Sequence, residues 1–147
     1  MVETGKRNLK DKLLKIILLV IGIYHIIFGL VGFISAEFAV RIAKYVFDMN
    51  ITLTDQSAYL ATLLGAYAFV FGLFTFIAAL NPQKYGYVVY IGSVLYLLRL
   101  IHRIMFADVV RDAFNVSAFN RIAEIILLVF FAVALFLLRL QTQSDPS

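Results

Sequence analysis

Six side chains carry charge or a titratable proton inside stretches that are otherwise apolar: His25, Arg99, His102, Arg103, Arg121 and Glu124. Such groups are expensive in hydrocarbon and mark function by default. Their types limit the chemistry. Arg103 lies one helical turn beyond Arg99, and Arg121 lies three residues before Glu124, so one carboxylate faces up to three guanidinium groups. That set makes either an ion pair that positions two helices or, with positive charge in excess, a seat for a lipid headgroup, a quinone or another anionic ligand. It includes no nucleophile and no metal-ligand set, so no catalytic residue and no metal ligand is assigned. A bis-histidine haem between His25 and His102 would need both at one depth, and residue counting separates them by about 5 Å or more. His25 is expected in an interhelical hydrogen bond instead.

Helices must position these groups. Apolar runs at 13–34, 58–80, 85–106 and 119–140 are each long enough to cross a hydrocarbon core, which takes about 20 helical residues. Lipid cannot satisfy an open strand edge, so each is read as a transmembrane helix. The first run exceeds the apolar region of a signal peptide, about 7–15 residues, and is read as a retained span. The expected fold is all-α, a four-transmembrane-helix bundle in one domain over 1–147. Counting from the ends of spans 3 and 4 puts Arg99 about 10 Å and Glu124 about 7–8 Å from one surface. Arg99 and Glu124 are therefore the expected pair.

At 147 residues and 63% hydrophobic, with a mean hydropathy of +0.93, the chain is too apolar for a soluble domain, where roughly 45–50% is usual. Cysteine is absent, which excludes thiol–disulfide chemistry and Cys-ligated metals. The net charge of +4 owes much to Lys6, Arg7, Lys10, Lys12 and Lys15, five of the thirteen basic residues, gathered ahead of the first span. That cluster reads as a cytoplasmic anchor on anionic lipid rather than a nucleic-acid site. It places both termini and the Asn81-Pro82 turn in the cytoplasm. Two N-x-S/T triplets, at Asn50 and Asn115, then fall on the opposite side.

Between spans 1 and 2, Phe38, Ile42, Tyr45, Val46 and Met49 repeat at helical spacing opposite Glu37, Arg41, Lys44 and Asp48. This predicts an additional amphipathic interfacial helix over 36–49.

Small residues line one face of the second span, Ala61, Gly65, Ala68, Gly72 and Thr75, and the matching stripe on the first is Gly22, His25, Gly29 and Gly32. Close backbone approach is a main source of packing energy between helices in lipid, so these two spans are expected to pack on each other. The stretch from Gly22 to Ile34 also matches that from Gly65 to Ile77 at an offset of 43, with seven of thirteen positions identical. Convergence on one packing solution explains the echo better than a transporter repeat, which joins units larger than one helix.

Gly-rich first and second spans (Gly22, Gly29, Gly65, Gly72), an arginine late in span 3 (Arg99 in Leu97-Leu-Arg-Leu-Ile-His) and a glutamate early in span 4 (Glu124 in Arg121-Ile-Ala-Glu) resemble the DoxX-like and BphX-like small four-helix membrane proteins. The resemblance covers roughly the whole membrane region, and Arg103 and the extra helix lie outside it. It implies membership among proteins sometimes associated with membrane redox complexes. The expected function is a nonenzymatic accessory subunit or assembly factor of a larger membrane complex. The competing class is a module that binds a quinone, lipid or other amphiphile at Arg99, His102, Arg103, Arg121 and Glu124. The expected partners are the bilayer and other membrane subunits. No resident cofactor is expected.

Overall fold

Apolar side chains continue around every face of the long runs, and in the computed structural model each run is a helix. The structure describes the backbone of residues 2–143 and the side chains of 9–139. The termini Met1 and Ser147 and the side chains of Lys6 and Arg7 lie outside the described residues. Among the described residues six helices follow in order: α1 (Val2–Ile34), α2 (Ala36–Phe47), α3 (Asp55–Leu80), α4 (Gly86–Met105), α5 (Ala107–Phe114) and α6 (Ala118–Gln143). Four stretches, Leu9–Ile34, Asp55–Leu80, Gly86–Met105 and Ala118–Arg139, are long and apolar enough to cross a membrane. Large apolar side chains such as Ile16, Leu64, Ile91 and Phe130 cover their outer surface, as expected where lipid replaces water.

The four long helices pack as two antiparallel pairs, α1 with α3 and α4 with α6. Glycine makes the first pair close. A Cβ on Gly72 would meet the backbone nitrogen of Ile26 at 2.6 Å, and one on Gly22 would meet that of Phe76 at 2.9 Å. On Gly29 and Gly65 it would overlap the backbone nitrogens of Phe69 and Phe33 outright. These four contacts form two reciprocal sets. Gly22 against Phe76 becomes Gly65 against Phe33 when each residue is exchanged for its counterpart 43 positions away, and Gly29 against Phe69 becomes Gly72 against Ile26. The sequence echo is thus a local two-fold relation between two antiparallel helices. A glycine on each must meet backbone on the other, so the same spacing serves both.

In the second pair, the Ser93 hydroxyl donates to the Ala132 carbonyl at 2.9 Å, which fixes the register of α4 on α6. The two pairs join through a core of Leu14, Leu18 and Ile21 from α1, Ala78 and Ala79 from α3, Val89 and Tyr96 from α4, and Leu128 and Leu135 from α6. This core fills the half of the bundle nearer the 81–85 turn. There α3 ends at Asn81, whose side chain accepts the Lys84 N–H of the turn at 3.1 Å, and Arg139 is buried beside Gly86 and Pro82.

The opposite end is capped by α2, α5 and their loops. Asp48 and Asn115 end α2 and α5 in the left-handed conformation, at φ 57° and 51°, which short polar side chains tolerate best after glycine. The loops are tied together: Asn50 N–H donates to the Phe114 carbonyl at 2.9 Å, and Ser117 N–H donates to Asp48 Oδ2 at 3.2 Å.

Three local features differ from the sequence reading. Helix α5 occupies a stretch taken as connecting chain; Val110 is its buried anchor, and Asp108 pairs with Arg111 one turn on. Helix α3 starts three residues early because Thr54 and Ser57 form a reciprocal capping box. Helix α2 ends at Phe47, two residues short of the expected 36–49, because Asp48 turns left-handed; its Phe38, Tyr45 and Val46 are exposed, and Ala39, Val40, Ala43 and Phe47 face the bundle. Ala39 and Ala43 let α2 lie close over α1 and α3.

Candidate functional site

From the Ser93–Ala132 contact, ten residues along α4 lead to Arg103 and eight residues back along α6 lead to Glu124. At about 1.5 Å per residue that register leaves Glu124 roughly midway in height between Arg99 and Arg103, and the side chains themselves settle the pair. Arg103 Nη2 and Glu124 Oε2 form an ion pair, with the two side chains only 9% and 15% exposed. Arg103 Nε lies buried with no hydrogen-bond partner. The expected Arg99–Glu124 pair is corrected accordingly. Counting from helix ends puts Glu124 between the two arginines, which differ by one turn in depth, and only the placement of the side chains in the packed bundle distinguishes them.

Arg99 sits one turn deeper on the same face of α4 and lines two cavities with Glu124. The larger, about 520 Å³, opens between α1, α2 and α3. Its walls are mainly apolar, with Phe28, Gly32, Val40, Ala43 and Leu64 among them, and its polar lining includes Tyr24, His25, Arg99 and Glu124. The smaller, about 230 Å³, extends between α1 and α6 past Tyr96, Leu128 and Phe131. Tyr24, Phe47, Arg99 and Glu124 belong to both.

His25 is buried on α1. Its Nδ1 lies 2.9 Å from the Ile21 carbonyl one turn earlier, so a proton on Nδ1 leaves Nε2 as an acceptor. The hydrogen bond is within α1, not between helices as expected. The ring stands edge-on to Phe71 and Tyr24, each at 5.0 Å between centroids.

His102 is exposed, its ring against Phe106 at 4.6 Å. The helical period turns position 102 about 100° away from the 99–103 face, and the structure does not bring it to Glu124. Arg121 lies on the far side of the ion pair and lines a third cavity, about 180 Å³, with Arg103. No group of three His, Asp or Glu side chains suited to a metal ion comes together among the described residues.

The charges on α5 behave differently because they stand in solvent. Arg111 pairs with Asp112 at 2.7 Å and with Asp108 at 3.0 Å. The hydrogen bond from Arg111 holds the Asp112 carboxyl below its usual range. Its contribution to stability is present above that range and fades as pH falls through the lowered value. Full exposure keeps that contribution small.

Sequence reasoning missed Ser93, whose neighbours Gly92 and Val94 gave no polar pattern, and the groove-facing residues of α2, whose small side chains were overshadowed by its aromatic ones. None of the protein-family models, curated proteins or solved structures compared matches this chain.

Proposed function

We propose that this protein is a membrane module that holds an amphiphile, with an apolar body and a compact head that accepts hydrogen bonds, in the groove beneath α2. The observation that carries this reading is an apolar groove of about 520 Å³ with Tyr24, His25, Arg99 and Glu124 among its lining residues. Small-molecule sites commonly span about 300–1,000 Å³ and are apolar with a few convergent polar groups. The Arg99 guanidinium and the Tyr24 hydroxyl supply donors, the head of a quinone or lipid supplies carbonyl or ester acceptors, and the walls take the chain.

The test is purification in mild detergent, followed by extraction and mass spectrometry of bound lipophiles. One species should copurify at near-unit stoichiometry. Ala43→Phe, which fills the groove from α2 without touching the ion pair, should lose most of it while the bundle remains folded. Retention of the same species by Ala43→Phe defeats the groove reading. Constant copurification of a protein partner with no lipophile favours the accessory-subunit function, the reading that composition and resemblance put first.

The proposed orientation has both termini and the 81–85 turn in the cytoplasm, supported by the basic residues before the first span. Reporter fusions after Lys84 and after Asn115 should give opposite signals, with the Lys84 fusion cytoplasmic. Equal signals contradict four spans, and reversed signals contradict the orientation.

A further inference from the structure

On the side of the ion pair away from the groove, α4, α5 and α6 line a separate, part-open cavity of about 180 Å³ bounded by Arg103, Ala107, Ala118, Arg121, Ile122 and Ile125. Its two charged residues are both cationic. Arg103 is 8% exposed, and its Nε, like that of Arg121, is buried with no hydrogen-bond partner. A buried donor without an acceptor is costly, more so on a charged group. Glu124 neutralises one guanidinium through Arg103 Nη2, and among the described residues Arg121 has only the longer-range attraction of the fully exposed Asp112 carboxylate to offset it.

Two further walls are helix starts. Ala107 is the first residue of α5 and Ala118 the first of α6, so the positive ends of two helix dipoles border the same space, that of α5 offset in part by the carboxyl end of α4, which closes at the shared cap Phe106. No side chain caps α5.

We infer that this cavity is a binding site for a tetrahedral oxyanion of the phosphate class, either free phosphate or the phosphate of an anionic lipid headgroup. Arg103 Nε and Arg121 Nε are the donors, and the α5 and α6 starts add positive potential. Guanidinium groups suit phosphate oxygens through charge-assisted hydrogen bonds. The site is independent of the groove: its lining shares no residue with either groove cavity, and it stands whether or not an amphiphile binds beneath α2.

The experiment is thermal unfolding of the full chain in a neutral detergent, titrated with inorganic phosphate, with dioctanoyl phosphatidic acid and with dioctanoyl phosphatidylcholine, against chloride at equal ionic strength. A saturable rise in the unfolding midpoint is expected with at least one of the two anionic ligands and not with phosphatidylcholine or chloride. A response to inorganic phosphate identifies a free-anion site, and a response to phosphatidic acid alone identifies a headgroup site. Arg121→Gln should weaken the apparent affinity about tenfold or more, the scale of one lost charge-assisted hydrogen bond. Ala107→Leu, which fills the cavity while keeping both arginines, should abolish the response; Ala43→Phe should leave it intact. No saturable rise with either anionic ligand, or one that both cavity variants retain, overturns the site. A response lost only in Ala43→Phe assigns the binding to the groove and overturns it equally.

Discussion

Gly29→Ala and Gly65→Ala should each destabilise the bundle by about 3 kcal/mol or more, at the upper end of what overpacking costs, although alanine is the better helix former by about 1 kcal/mol. The reason is what the added methyl meets. At both positions it overlaps a backbone nitrogen and neighbouring main-chain atoms of the opposite helix, which cannot rotate aside as a side chain can. Relief requires α1 and α3 to separate, and separation sacrifices contacts along the whole crossing. Gly72→Ala, at 2.6 Å from the Ile26 nitrogen, should follow closely, and Gly22→Ala, at 2.9 Å from that of Phe76, should be mildest of the four. The control is Gly92→Ala on α4, where the nearest atoms are side-chain carbons at 3.5 and 3.8 Å. That change should be neutral or slightly stabilising. Unfolding midpoints in mild detergent give the order directly. Wild-type midpoints for Gly29→Ala and Gly65→Ala would mean that the two helices do not cross where the glycines lie.

Breaking the buried ion pair is the second large effect. Glu124→Gln should cost about 3–5 kcal/mol, because Arg103 is left buried with an uncompensated charge, whereas Asp112→Asn, in the solvent-exposed pair with Arg111, should change stability little. Restoring neutrality is the sharper comparison. Arg103→Met combined with Glu124→Leu removes both charges at roughly similar volume, and such replacements of buried pairs are often neutral or stabilising. The double variant should therefore unfold well above Glu124→Gln. A double-mutant cycle between positions 103 and 124 should give strong coupling, and one between 99 and 124 a weaker value. Coupling below about 0.5 kcal/mol at 103–124, the scatter usual for independent sites, would show that the two charges do not depend on each other.

Both effects bear on function through the same geometry. The α1–α3 crossing keeps Gly32, Gly65 and Ala68 at the groove wall, and Glu124 lines the groove while its partner Arg103 lines the oxyanion cavity. A change in the pair is therefore felt on both sides, which is why Ala43→Phe and Ala107→Leu, each confined to one cavity, separate the two proposals.

Sequence alone was enough to determine the four long helices and their close first pair, because each depends on a property that one segment carries by itself. A run of about 20 apolar residues must be a helix in lipid, and a stripe of glycines at helical spacing can serve only close approach. The 43-residue echo was legible for the same reason, though its meaning as a two-fold crossing required seeing which residue each glycine met. Ionisable residues at membrane depth were equally visible as candidates. Their pairing was not, since Arg99 and Arg103 share a face and differ by one turn with Glu124 about midway between them in height, and only the side-chain placement in the packed bundle decides which of them reaches it. The burial of Arg121 Nε, the turning of His102 outward, and the choice of Ala39, Ala43 and Phe47 as the inner face of α2 likewise belong to the tertiary structure. Each is a relation between helices that meet through packing, and no pattern within a single helix encodes the register at which two of them come to rest.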